Sequence, residues 1–144
     1  MKLDDILSEW AKDSTINEED IAGETVKSAI LHSKYYEIFL KARIAYLKKQ
    51  IKHDELIHIK TQYYLGELEK SELNEYGWKP FSKVVLKSEV HRYVNNDKDV
   101  VESTINLTLY KEKMEFLKDI LVVVKQRGYI IKNLIDIRKF ESGV

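Results

Sequence analysis

Residues 26–52, VKSAILHSKYYEIFLKARIAYLKKQIK, decide the fold. Neither glycine nor proline interrupts the chain between Gly23 and Gly66, and good helix formers fill the interval. One long helix is expected there, with Lys52-His53-Asp54 as the place where a bend would fall. At 1.5 Å per residue it spans roughly 60 Å, longer than a compact domain of this size. Projected at 100° per residue, the helix carries two apolar rows. Val26, Ala29, Tyr36, Leu40, Ile44, Leu47 and Ile51 form the first; Tyr35, Phe39, Ala42, Tyr46 and Ile57 form the second. Lys34, Lys41, Lys48 and Lys52 line the broader face between them, Lys49, Lys60 and Tyr63 lie at its flank, and Arg43 points the other way. Two rows call for two packing neighbours, with the lysines left facing water.

Outward from this helix, Leu3, Ile6, Leu7 and Trp10 recur at helical spacing and predict a short opening helix. Thr15 or Asn17 is expected to cap the helix that follows. Residues 66–80 read as a loop or a frayed turn. Val84-Val85-Leu86 and Val90–Val94 read as short strands of a small hairpin, with Ser88-Glu89 as an alternative helix start. Asn96 or Asp97 can cap the next helix. There Leu107, Tyr110, Met114, Leu117, Leu121 and Val124 make a narrow coiled-coil type seam, beside an adjoining one of Leu109, Phe116, Ile120 and Val123. Residues 122–144 read as two short apolar helices broken at Gly128. This is more apolar surface than the chain can cover, so a second copy is the expected partner, held through Leu117, Leu121, Val124, Ile131, Leu134, Ile135 and Phe140. The fold class that results is mainly α, a long-helix bundle with room for a small β element. Residues 1–104 are expected to bind ligands and residues 105–144 to oligomerise.

Composition narrows the function. With 144 residues, one domain, or one domain plus an oligomerisation tail, is expected. The absence of cysteine removes disulfides and thiolate metal sites. No apolar run reaches the ~18 residues of a membrane span, and the acidic start is unlike a signal peptide, so a soluble cytoplasmic protein with no membrane partner is expected. The net charge is zero but unevenly spread. Asp4, Asp5, Glu9, Asp13, Glu18, Glu19, Asp20 and Glu24 crowd the first 25 residues, while bases dominate residues 26–64. An acidic arm beside a basic helix suits a polyanion surface with an internal competitor, or simple segregation onto solvated faces. His53-Asp54-Glu55-Leu56-Ile57-His58 imitates a zinc-protease signature, but the i, i+5 spacing sets the rings about 140° apart on a helix. No metal, no cofactor and no catalytic constellation is expected. What remains is lysine with aromatics nearby, as in Lys60-Thr61-Gln62-Tyr63-Tyr64. Phosphates call for cations, and unpaired bases call for stacking rings. Equally, the tyrosines could close a helix core and the lysines be solvated.

The opening Met1-Lys2-Leu3-Asp4-Asp5, Ser33-Lys34, Lys60–Gly66, Lys87-Ser88-Glu89-Val90, Asn96-Asp97-Lys98-Asp99-Val100 and the Arg138-Lys139-Phe140-Glu141-Ser142-Gly143 ending together resemble the UvsY family of recombination mediators from T-even-type tailed phages. Order and spacing carry the resemblance, which covers nearly the whole chain. It implies a ring-like homo-oligomer, without catalytic activity, in the cytoplasm of an infected bacterium. Such a protein binds single-stranded DNA, loosens the phage single-strand-binding protein and helps a phage RecA-like recombinase load. The family's DNA-contacting Lys-Ala-Arg-Leu-Asp-Tyr-Tyr motif has two counterparts here. The string matches at Leu40–Leu47, with Lys41 and Arg43; the spacing matches at His58–Tyr64, with His58 for the lysine and Lys60 for the arginine. The spacing requires no insertion and is preferred. Lys48, Lys52, Tyr63 and Tyr64 complete the expected DNA face. The rival reading is an oligomeric scaffold that binds only protein, without direct contact to DNA.

Overall fold

Asp97 sits where one helix must stop and the longest stretch of the C-terminal half must begin. Its side-chain oxygen accepts from the backbone N–H groups of Asp99 (2.9 Å) and Val100 (3.2 Å). This is the N-cap expected from sequence, and it satisfies donors that the first turn leaves open. The computed structural model, which describes residues 1–143, holds five helices: α1 (Leu3–Asp13), α2 (Ile21–Tyr64), α3 (Lys70–Tyr76), α4 (Val90–Asn96) and α5 (Lys98–Glu141). Val144, the last residue of the apolar tail, lies outside the described residues. The cap of α2 is Asp20, accepting from the Gly23 N–H at 3.1 Å, rather than Thr15 or Asn17. Gly66, at a φ of 73°, ends α2 in the left-handed conformation that glycine adopts at least cost.

Two expectations about elements are corrected. Among the described residues there is no strand: Val84–Leu86 is irregular and Val90–Asn96 is helical. Val90 and Val94, spaced i and i+4, both enter a core, which satisfies a helix as well as the alternation of a strand. Gly128 does not break the tail, because α5 passes through it without interruption. Its neighbours Val124, Arg127 and Ile131 are all buried, and packing at that helical spacing outweighs the ~1 kcal/mol that a mid-helix glycine costs.

The chain divides into two units, one of Met1–Ile44 with Lys111–Val144 and one of Ala45–Tyr110. Helix α5 runs unbroken past the boundary expected at residue 104. In the first unit Ile6, Leu31, Tyr35, Ala42, Leu117, Ile120, Leu121 and Val124 form the core, with Trp10, Ile38, Phe39 and Phe116 packed on it. Arg127 is fully buried and joins three segments: it pairs with Glu24, donates to Ser28 Oγ at 3.2 Å and donates to the Ser14 carbonyl at 3.3 Å. In the second unit Val90, Val94 and Val100 gather Leu56, Ile57, Tyr64, Leu65 and Val85.

These cores resolve the surplus of apolar rows. Tyr35 and Ala42, from the second row of α2, are buried within the chain. The first row is open: Val26 is 65% exposed, and Tyr36, Leu40, Ile44, Leu47 and Ile51 are exposed as well. The residues expected to bind a second copy are sorted differently from the sequence reading. Leu117, Leu121, Val124 and Ile131 are buried inside their own chain, the first three in the core that α1 and α2 share with α5. Leu134 and Ile135 are half-buried, and Phe140 is exposed.

Candidate nucleic-acid interface

Lys60 is the residue on which the spacing argument converged, and it is only 4% exposed. Its ammonium lies 3.1 Å from Asp97 and 3.0 Å from Asp99, and 4.0 Å from the centre of the Trp78 ring. Two carboxylates neutralise it and an indole covers it, so the expected contact between Lys60 and DNA phosphates does not fit its position. A lysine at the flank of a helical wheel looks solvated until the partner element is known; here the start of α5 supplies the acids. Burial pushes the Asp97 carboxyl up, but hydrogen bonds from Tyr64 and Lys60, and from the Val100 N–H, outweigh it and hold the carboxyl below the usual range. Tyr64 donates to Asp97 at 2.7 Å, and its phenol is pushed up by burial and by that carboxylate. Tyr63 donates to the Lys79 carbonyl at 2.6 Å, and its ring meets Tyr64 and Trp78 edge-on at 5.0 and 5.3 Å. Both tyrosines are half-buried parts of an aromatic cluster.

The other expected DNA contacts are placed differently. Lys41, Arg43, Lys48, Lys52 and His58 are all exposed on α2. Lys41 pairs with Glu37 at 3.0 Å, an exposed i, i+4 pair of the kind that contributes little. Lys34 is committed to Glu9 and Asp13, at 2.8 and 2.6 Å. In the second unit Lys49, Lys52 and Lys98 border a shallow groove of about 970 Å³ whose apolar lining includes Leu56, Val101, Ile105 and Leu109. Lys49 also lies 5.5 Å from the Tyr110 ring centre. The two histidines of the protease-like hexapeptide separate: His53 Nδ1 is 2.9 Å from Ser103 Oγ, whereas His58 faces solvent. Among the described residues no cluster of three or more His, Asp or Glu side chains is arranged to hold a metal ion.

A second cationic surface escaped the sequence reading. Lys83 and Arg92 are exposed beside the rings of Phe81, Tyr93 and Tyr64. A strand over Val90–Val94 would send Arg92 and Tyr93 to opposite faces. The helix that forms sets them about 100° apart, and the two share one cleft. The density of Lys79, Lys83, Lys87 and Arg92 around Phe81 was the available signal.

No helix among the described residues is long and apolar enough to cross a membrane. Comparison with known proteins fits this helical arrangement. Crystal structures of the bacteriophage T4 recombination mediator protein UvsY, in lattice types II and IV, superpose with TM-scores of 0.86 and 0.85. The first is 24% identical and the match covers 99% of this chain and 98% of that one; the second is 22% identical, with 97% and 99% covered. The recombination protein UvsY of Enterobacteria phage T4 is 25% identical over 143 residues, 99% of each chain. The family profile described as recombination, repair and ssDNA binding protein UvsY matches residues 9–144. The chain therefore belongs to the UvsY family of recombination, repair and single-stranded-DNA-binding proteins.

Proposed function

We propose that this protein is a non-catalytic recombination mediator of a phage, acting in the cytoplasm of the infected host. It assembles into a ring-like homo-oligomer, binds single-stranded DNA and promotes loading of a RecA-like recombinase onto strands coated with single-strand-binding protein. The observation that carries this reading is the family match over residues 9–144. Two features of the surface support it. The first row of α2 presents Val26, Leu40 and Ile44 to solvent, an apolar face suited to a second copy. Exposed Lys41, Arg43, Lys48, Lys52 and His58 on the same helix offer charge to a phosphate backbone. Lys60 takes no part in that contact.

The test is ATP hydrolysis by a RecA-like recombinase on single-stranded DNA already covered by single-strand-binding protein. Adding this protein should shorten the lag before steady hydrolysis. An unchanged lag, together with full binding to bare strands, would remove the loading role and leave a DNA-binding oligomer. A protein-only scaffold would not bind bare strands.

A further inference from the structure

Helix α4 and the segment before it enclose an open cleft of about 540 Å³ lined by Tyr64, Phe81, Lys83, Arg92, Tyr93 and Asn96. Three of these are aromatic, two are cations, one is an amide, and none is acidic. Phe81 meets Tyr64 at 4.9 Å and Tyr93 at 5.6 Å, with interplanar angles of 80° and 73°. Tyr64 and Tyr93 lie 5.9 Å apart at a gentler 36°. The rings thus form a connected, half-buried wall rather than isolated side chains. Among the described residues, neither Lys83 nor Arg92 stands in an ion pair. The one carboxylate bonded to the wall, Asp97, is already neutralised by Lys60. In a chain of zero net charge, this leaves a patch of uncompensated positive charge directly beside aromatic surface.

We infer that this cleft is a base-stacking subsite for single-stranded DNA, in which a splayed base lies against the Phe81 and Tyr93 rings while Lys83 and Arg92 hold the flanking phosphates. The inference rests on the single-strand reading above and gives it a second set of residues, none of them among the α2 lysines. Cations alone would serve duplex and single strand alike. Aromatic faces reward only a strand whose bases are free to leave the stack. The Asn96 amide already donates to the Arg92 carbonyl at 2.7 Å, so the rim is ordered by its own helix.

The test uses the full chain. An oligothymidylate carrying 5-iodouracil is irradiated in complex with the parent protein, and the adduct is mapped by mass spectrometry. Adducts on Phe81 or Tyr93 support the subsite; adducts confined to residues 41–60 overturn it. In parallel, affinity is measured for oligothymidylate and for an abasic oligomer of equal length. Tyr93→Leu should weaken the first about tenfold and leave the second unchanged. Lys83→Ala with Arg92→Ala, both exposed and safe for the fold, should weaken both oligomers and reduce the salt slope by about 1.4. Parent-like affinity of these variants for oligothymidylate overturns the subsite while the general reading stands. A parent protein that binds neither oligomer overturns both.

Discussion

Lys60 and Lys52 share one helix but differ in surroundings: Lys60 is buried and Lys52 is exposed. A lysine's function is set by what reaches its ammonium, and the acids that reach Lys60 come from residues 97 and 99, far along the sequence. Removing one partner of a buried pair strands the other charge. Lys60→Ala should therefore cost about 3–5 kcal/mol in denaturant unfolding. Lys52→Ala should change stability by less than about 0.5 kcal/mol and weaken single-strand binding at low salt. Equal stabilities for the two variants would refute the buried network. Acid titration gives an independent check at the same scale. Burial raises Asp13 and Asp97, but their hydrogen bonds, from Lys34 and Tyr35 to Asp13 and from Tyr64 and Lys60 to Asp97, more than offset it and depress both carboxyls. A depressed carboxyl binds fewer protons in the folded state, so its contribution is complete above the ordinary value near 4 and is lost as pH falls through the folded one. Unfolding free energy should accordingly drop below about pH 4. Asp97→Asn should be less stable at neutral pH and show a shallower acid slope, read by urea titrations across that range.

At the scale of elements, the sequence was legible wherever one local signal sufficed. The uninterrupted run between Gly23 and Gly66, the Leu3–Trp10 spacing and the Asp97 cap each produced the helix expected of them. The misreadings arose where a local signal was overruled by packing. Val90 and Val94 fit a strand by alternation and a helix by i, i+4 spacing, and the core they enter decides for the helix. The same effect hid the cleft, because Arg92 and Tyr93 become neighbours only in the helical form. Gly128 reads as a break yet lies inside α5, and a Cβ placed there meets nothing within 4 Å. Gly128→Ala should then stabilise the chain by about 0.5–1 kcal/mol, raising the melting temperature by roughly 3 °C. Calorimetry checks this. A lowered melting temperature would show that glycine is needed there for a close approach by another copy.

For the whole molecule, the residues expected to hold a second copy and the apolar residues that one chain leaves open are different sets. Leu121 belongs to the core of its own chain, whereas Val26 and Ile44 are open. Only burial by a defined neighbour separates the two, and no helical wheel contains that neighbour. Val26→Glu with Ile44→Glu should leave helicity intact and reduce the native particle to smaller species in analytical ultracentrifugation. Leu121→Asp should unfold the chain, seen as lost helicity by circular dichroism. If the Val26/Ile44 variant sediments as the parent does, the open row is not the subunit contact.

Mediation as proposed depends on contact with a nucleic-acid backbone, and a salt titration of the purified protein against oligothymidylate tests that contact. Measurable binding is expected at low salt, with the logarithm of the association constant falling linearly with the logarithm of salt concentration. The slope should be about 0.7 for each phosphate neutralised. Absent binding at low salt, or an affinity indifferent to salt, would contradict that contact.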